Sequence, residues 1–496
     1  MTIPAIERRS HCLKFILLLF SYFTLHILLR VLLSDSLDYD EAEQALLSQW
    51  LLPGYTEQPP LYTWIQYGLF KLFGKTVFAV SLLKNTLLFF TYLFVYLSGI
   101  TLLKDSRAAI LAAASLLLIP QIAWESQRDM THTTLVVFAA AAVLWLTLRL
   151  IKNRSFLNYS LLGIFCGIGL LAKANFVLFL TVLILTLLTF PAGRKLLFSR
   201  MILISLLLTA AMNTYYFVWM FNNQEILFST TDKFKQTNAI YPVKGIKSFF
   251  TNTFLFIAPL SVIYLLIFPG GFRRSHHHQE DFSSRFMLRY GLFFVLVFLL
   301  IIILFKISYV KDRWMQPLLF AVPLIFFSGV DTTTISEKQF KRFLQVAALA
   351  AACVYMAFTL RVISAPLSHD YSRLSYPFTS LSGEIKETGF TRGLIICKNR
   401  FLAGNMLLQF PGSRAIIPGY NFEHLPLPPG LTQAAVIWQA GRSQQLPDKL
   451  EGFLKKNYDI NPQNYQIEYY QHPYKHSNVD TVKLAMLRFP LDNAGK

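Results

Sequence analysis

Carboxylates crowd one short stretch of the chain. Asp35, Asp38, Asp40, Glu41, Glu43 and Glu57 all fall within residues 35–64, DSLDYDEAEQALLSQWLLPGYTEQPPLYTW, which contain no Lys or Arg. The stretch follows an apolar segment, Cys12 to Leu33, directly. Negative charge held against a membrane surface is costly and repels anionic headgroups, so such a cluster reads as functional. Its chemistry is that of a general base. It also offers Asp38, Asp40 and Glu57 as oxygen ligands for a divalent cation, with no metal assigned.

The local pattern is a short helix. Asp38 stands three residues before Glu41, the spacing of a capping box with Asp38 as the N-cap. Ala42, Ala45, Leu46, Gln49 and Trp50 share one face, and Asp40, Glu43, Gln44 and Leu47 another. Asp38 and Glu41 are open to two readings, caps or chemical groups. Asp40 is not needed as a cap and is the better catalytic candidate, with Glu41 second. The positive end of the helix favours an ionised carboxylate there. If Asp38 only caps, Asp38→Asn is mild, because Asn caps as well. Pro53-Gly54 then breaks the chain, Pro59-Pro60 extends it, and LYTWIQYGLFKLFG begins a second amphipathic piece. Glu57 lies in the turn between the two pieces and can point back towards Asp40.

These residues need a scaffold, and composition names its class. The chain has 496 residues, 54% hydrophobic and 15% aromatic, with 45 Phe. Charged residues make up 15%, against roughly 25% in soluble domains. Apolar runs recur at about 20 residues, enough to cross a bilayer. The expected class is an α-helical polytopic membrane protein. The first span is too long for a signal-peptide core and is expected to be retained. The net charge of +19 reads as basic cytoplasmic loops and not as a nucleic-acid surface. Cys12, Cys166, Cys353 and Cys397 have neither disulfide nor zinc spacing.

Eleven spans are expected, at about 12–33, 77–102, 106–120, 131–150, 157–171, 174–190, 201–221, 249–269, 290–307, 316–330 and 344–362. With Arg8 and Arg9 inside, every inside loop is basic: Lys104 and Arg107; Lys152 and Arg154; Arg194, Lys195 and Arg200; Arg273, Arg274, Arg285 and Arg289; Lys338, Lys341 and Arg342. The acidic stretch, Arg128-Asp129, the loop 222–248, the loop Lys306–Gln316 and everything after Ser364 then face outward. Residues 1–364 form a transmembrane domain whose first outer loop, 34–76, carries the site. Residues 365–496 form a soluble α/β domain, with strands expected at Gly393–Cys397, Arg414–Ile417, Ala434–Trp438, Gln466–Gln471 and Val482–Phe489 and a helix at Asp448–Lys456.

Other polar groups sit where spans end on the outer side. Asp129 in SQRDMTHTTL either caps the fourth span or joins the site, beside Arg128 and His132. Lys306, Lys311 and Arg313, in KISYVKDRWMQPLLF, are outer cations against the positive-inside bias. They read as an anion site at a helix start, with Pro317 near the first turn, or as side chains snorkelling to headgroups beside Trp314. Lys173 in LLAKANF poses the same choice. His276-His277-His278 falls in an inside loop and reads as a solvated run.

The D-E pair at the start of a juxtamembrane helix, followed by E-x-P-P-L-Y-x-W, resembles the polytopic GT-C glycosyltransferases of the protein-mannosyltransferase and aminoarabinose-transferase superfamily. The fuller form, DEAEQALLSQW followed by GYTEQPPLYTWIQ, is closest to the rhizobial lipopolysaccharide-core galacturonosyltransferases. The resemblance runs over roughly residues 10 to 330. It implies a GT-C fold and transfer of a hexosyl or pentosyl group from a polyprenyl-phosphate-linked donor to a lipid or glycolipid acceptor, such as lipid A or lipopolysaccharide core. It implies a multi-pass protein of a bacterial inner membrane, with site and C-terminal domain periplasmic and membrane lipids around it. The resemblance does not uniformly require a cofactor, and no nucleic-acid partner is expected. Asp40 and Glu41 match the D-E pair. Glu57, Gln58 and Tyr62 match the second element. Arg128, Asp129, His132, Lys173, Lys311 and Arg313 complete the substrate-binding candidates, since the family places a second acid on the Asp129 loop. Gln58 stands where the aminoarabinose transferases have Lys, which favours the galacturonosyltransferase branch. Two other readings are a transporter or flippase of a lipid-linked substrate and a protein O-mannosyltransferase. A non-catalytic assembly or sensor protein is a further one. Charges gathered at one face without internal repeats favour the enzyme over a transporter.

Overall fold

The computed structural model of the protein describes residues 5–225, 241–269, 281–331, 334–420, 425, 427–441 and 445–491. His276-His277-His278 and the inside cations Arg273 and Arg274 lie outside them. Two compact units are formed, one from Met1–Thr24, Leu52–Tyr62 and Lys84–Val354, the other from Leu25–Leu51, Thr63–Leu83 and Tyr355–Lys496.

The chain opens with α1 (Ala5–Leu33), α2 (Tyr39–Leu47), α3 (Leu61–Phe73) and α4 (Val77–Leu103). The short helix and the amphipathic piece read from the sequence are α2 and α3. All eleven expected apolar segments are helical over most of their length. Seven helices of the described residues are long and apolar enough to cross a membrane, or eight if one bent pair is counted as a span. That pair, Ser106–Leu118 and Gln121–Asp129, turns by 71° at Pro120, whose ring and missing N–H break the hydrogen-bond ladder. Phe156–Ala172 and Phe176–Leu188 are 17 and 13 residues long, short of the roughly 20 a bilayer needs. The expected span at 316–330 divides into Asp312–Leu319 and Val322–Ser328, with Pro323 in the first turn of the second. Pro317 is therefore inside the first of these helices, not at its start.

In the first unit, helices meet through small residues. A methyl group on Gly163 would lie 2.6 Å from the Ser205 backbone, so only Gly permits this approach. The Ser205 hydroxyl donates to the Tyr159 carbonyl across the same contact at 2.6 Å. Aromatic rings fill wider gaps: Tyr264, Phe268, Phe327 and Phe343 pack edge to face or tilted, as expected of quadrupolar rings.

The second unit contains a five-stranded sheet of β1 (Leu394–Cys397), β2 (Arg414–Ile416), β3 (Gln433–Gln439), β4 (Ile467–Pro473) and β5 (Thr481–Pro490), in the order β2-β1-β3-β5-β4. β1 is parallel to β2 and β3, while β5 is antiparallel to β3 and β4. All five expected strands are present. Alternation sends Ile395, Cys397, Ala415 and Ile437 to one face and Leu394, Ile396, Ile416 and Trp438 to the other. Helix Asp448–Tyr458 covers the second face with Leu450, Phe453 and Leu454. The first face receives helix Arg400–Gln409 and, beyond it, Ala42, Ala45 and Leu46 of α2. A methyl group on Gly404 would meet the Ala42 carbonyl oxygen at 2.1 Å. Asn405 accepts the Leu37 N–H at 2.7 Å, locking the entry to α2. Ala42, Ala45 and Leu46 of the packing face read for α2 are buried, and so are Gln44 and Leu47 on the face that bears Asp40.

Candidate active site

In the second unit, α2 is held at its N-terminus by both halves of a capping box. Asp38 caps the helix and Glu41 reaches back to the Asp38 N–H at 3.0 Å. Asp38 does more than cap. Its side chain is 1% exposed and binds Arg361 at 2.6 Å and Arg373 at 2.9 Å. The mild Asp38→Asn expected from capping alone is therefore corrected: two guanidinium groups depend on this carboxylate. Both its oxygens are committed to arginine, which withdraws Asp38 from the divalent-cation set. Among the described residues no group of three or more His, Cys, Asp or Glu has metal-binding geometry.

Glu41, 2% exposed, binds Arg30 at 2.8 Å. Arg30 also donates to the Ser34 and Ser36 carbonyls at 2.8 and 2.6 Å. Such a buried, multiply bonded carboxylate holds structure better than it moves protons. Glu43 pairs with Arg400 and accepts from the Tyr420 hydroxyl. Burial pushes its carboxyl above the usual range against the pull of Arg400, and nearby Asp40 adds to the rise. Arg400 and Arg373 stack over Tyr39, 4.2 and 4.8 Å from the ring centre, a cation–π clamp on the first residue of α2. Asp40 is half-buried one residue on, at the positive end of the helix.

The first unit gathers the remaining candidates. The 71° bend puts Gln121–Asp129 across the end of the fourth expected span. Asp129 ends a helical turn, Ser126–Asp129, and Thr131 occupies the N-cap of helix His132–Lys152. Thr131 itself makes no side-chain cap hydrogen bond. Arg128 binds Glu125 at 2.6 Å, while its Nε is buried without a hydrogen-bond partner among the described residues. Lys84 of α4 is 1% exposed and donates to the Gln127 carbonyl at 3.3 Å. Gln127 in turn donates to Asn85 at 2.8 Å. Lys173 donates to Thr133 at 2.7 Å, and the Tyr62 and His132 ring centres are 5.6 Å apart.

Asn175 donates to the Arg313 and Trp314 carbonyls at 3.2 Å, and Gln316 donates to the Gln121 carbonyl at 2.8 Å. The segments bearing Arg128 and Asp129, Lys173, and Lys311 and Arg313 thus form one polar neighbourhood. Lys311 and Arg313 are exposed on it, as is Glu57 in its own loop, and Gln58 is half-buried. Asp312 takes the Arg313 N–H at 2.7 Å, so a donor expected for phosphate at this helix start is already used.

Sequence reasoning passed over Arg30, Arg361, Arg373, Arg400 and Lys84. Three of them carried a signal: Arg30, Lys84 and Arg361 interrupt apolar spans, where a charge reads as functional. The other two come from the tail side of the chain, and only folding pairs them with α2.

Crystal structures of ArnT from Cupriavidus metallidurans, one apo and one bound to undecaprenyl phosphate, match the fold with TM-scores of 0.60 and 0.61. The match is at 12% and 11% identity over 96% of this chain and 98% of theirs. At this identity the likeness is one of fold, that of a multi-helix membrane protein with a C-terminal sheet. A family model described as dolichyl-phosphate-mannose-protein mannosyltransferase matches residues 57–219. Lipopolysaccharide core galacturonosyltransferase RgtA of Rhizobium johnstonii is 31% identical over 433 residues, 85% of each chain. RgtB of the same organism is 31% identical over 451 residues, 89% of this chain and 90% of that one. The chain belongs to the family of these lipopolysaccharide core galacturonosyltransferases.

Proposed function

We propose that the protein moves a glycosyl group from a polyprenyl-phosphate donor to a periplasm-facing lipid A or lipopolysaccharide-core acceptor in a bacterial inner membrane. A uronosyl group fits the branch to which its relatives belong. The observation that carries the reading is the division of labour on α2. Asp38, Glu41 and Glu43 are each drawn into arginine pairs, and Asp40 stands half-buried among them at the positive end of the helix. Asp40 is the general base that takes the acceptor hydroxyl proton, and attack inverts the sugar carbon that leaves the phosphate. Glu41 fixes the helix start and acts as a positioning residue.

Lys84, Arg128 and Lys173 are the cations that receive the donor phosphate. A buried cation set into apolar surroundings strengthens its contact with an oxyanion, and Arg128 keeps a buried N–H to donate. Asp129, His132, Tyr62, Glu57 and Gln58 orient donor and acceptor, with Lys311 and Arg313 at the exposed margin. A lipid-linked donor is supported by the undecaprenyl phosphate bound in one of the ArnT structures. Residues 1–364 carry the transfer chemistry and 365–496 form the periplasmic part. Mass spectrometry of lipid A and core oligosaccharide from cells with and without the gene tests the reading. Loss of one sugar is expected, and identical glycoforms would refute it.

A further inference from the structure

A cavity of about 350 Å³ opens in the second unit between the end of α3, the turn that follows it and the start of β2. Its lining includes Ser48, Tyr67, Lys71, Lys75, Ser413 and Arg414. It lies at the low end of the ~300–1,000 Å³ typical of small-ligand pockets. Three of these side chains are cations, and among the described residues no carboxylate lines the cavity or pairs with them.

Arg414 and Lys75 are half-buried and Lys71 stands exposed at the edge. Arg414 donates from Nη1 to the Gln49 carbonyl at 2.7 Å and lies 5.3 Å over the Trp50 ring. Gln49 in turn bridges Leu46 and Ala415. The guanidinium is thus fixed by α2 and β2 together, yet its Nε is buried with no hydrogen-bond partner among the described residues. Lys71 sits over Tyr67, 5.4 Å from the ring centre. Gly74, at φ +72°, turns the chain so that Lys75 follows α3 into the same space. Burial, then Arg414 and Lys71, lowers the Lys75 ammonium to about 8. Like charges crowded this way are mutually destabilising. An arrangement that retains them implies an anion to neutralise them.

We propose that this cavity is an anion subsite that grips a phosphate or carboxylate group of the saccharide acceptor through Lys71, Lys75 and Arg414. The proposal rests on the transferase reading above and adds what that reading leaves open, the chemistry by which an acceptor is recognised. Arg414 provides the directional donor through its Nε–H, and the two lysines supply charge without fixed geometry. The Ser413 hydroxyl, which accepts the Gly393 N–H at 3.1 Å, has its proton to offer. The volume suits one charged monosaccharide unit.

Calorimetry on the full chain in nanodiscs of uncharged lipid tests it, with glucose 1,6-bisphosphate, trigalacturonate and maltotriose as probes. At least one anionic probe is expected to bind and maltotriose not to. Binding of the bisphosphate alone assigns the site to phosphate, and of trigalacturonate alone to carboxylate. Lys71→Gln/Lys75→Gln and, separately, Arg414→Gln are expected to weaken binding by about tenfold or more. The lysine pair makes no hydrogen bond within the described protein, so its removal tests charge without loosening β2. Equal binding by maltotriose, no binding of either anion, or variants that bind as the wild type does would each overturn the subsite. These titrations need no donor, so they stand or fall apart from transfer itself. In the transfer assay, the lysine variant should raise the acceptor KM and leave the donor KM unchanged.

Discussion

Asp38 and Arg361 are 323 positions apart in the chain and 2.6 Å apart in space. The first starts the acidic helix; the second lies in the last turn of helix Glu337–Ile363. Arg373 completes the arrangement on the other carboxylate oxygen. Asp38→Asn keeps the cap but strips the charge from a site 1% exposed. Arg361 is 18% and Arg373 47% exposed, so water softens the loss, and the expected cost is about 1–3 kcal/mol. A lower Tm of the purified variant in detergent checks it. An unchanged Tm would return Asp38 to a plain capping role.

Asp40→Asn should leave the Tm nearly unchanged, because Asp40 is only half-buried and Asn keeps its size. Transfer should fall by at least about 10²-fold, the low end for acid–base catalysis. An assay with a polyprenyl-phosphate sugar in liposomes decides it. Normal activity would end the general-base role and move attention to Asp129.

Donor binding should separate buried Lys84 and half-buried Arg128 from the exposed cations. Lys84→Gln and Arg128→Gln each remove a charge-assisted contact worth about 1.5–3 kcal/mol. They should raise the donor KM more than Lys311→Ala or Arg313→Ala, which lie on the surface with Asp312 between them. If the exposed pair matters more, the phosphate sits outside the Lys84 neighbourhood.

Lys75 gives a pH signature in stability. Its folded-state value of about 8 is below the ordinary 10.5, so folding disfavours its charged form. The penalty is present in full below about pH 8 and fades as pH rises towards 10.5, because there the unfolded chain holds more protons. Lys75→Met should raise the Tm at pH 7, with the advantage shrinking by pH 10. A constant difference across that range would assign the gain to packing and not to charge. A residue that weakens the fold while strengthening a pocket is what a binding role predicts.

Much of this was legible in the residues. The α2 cap, its packing face and the five strands follow from local spacing, which short-range sterics and alternation decide. The polytopic class follows from composition. The bends were not legible, because Pro120 and Pro323 turn apolar runs that hydropathy alone reads as straight. The arginine partners of α2 were hidden for another reason. Arg361, Arg373 and Arg400 lie hundreds of residues from the acids they hold, and nothing local in their sequence says which carboxylate they will meet. Lys71, Lys75 and Arg414 converge in the same way, through a turn after α3 and the start of a strand.

The approach of Gly404 to Ala42 has a consequence for how the chain can be divided. With no side chain at Gly404, the backbones meet too closely for a third body or a water layer to intervene. Helix Arg400–Gln409 is the connection between β1 and β2, so the same residues that close the sheet also floor the acidic helix. A chain ended near residue 364 would present Ala42, Ala45 and Leu46 to water. A tail expressed alone would expose Gly404 and Asn405, which meet Ala42 and Leu37. Neither half is a module that can be lent to another protein: acquisition, loss or exchange of the tail would have to carry α2 with it.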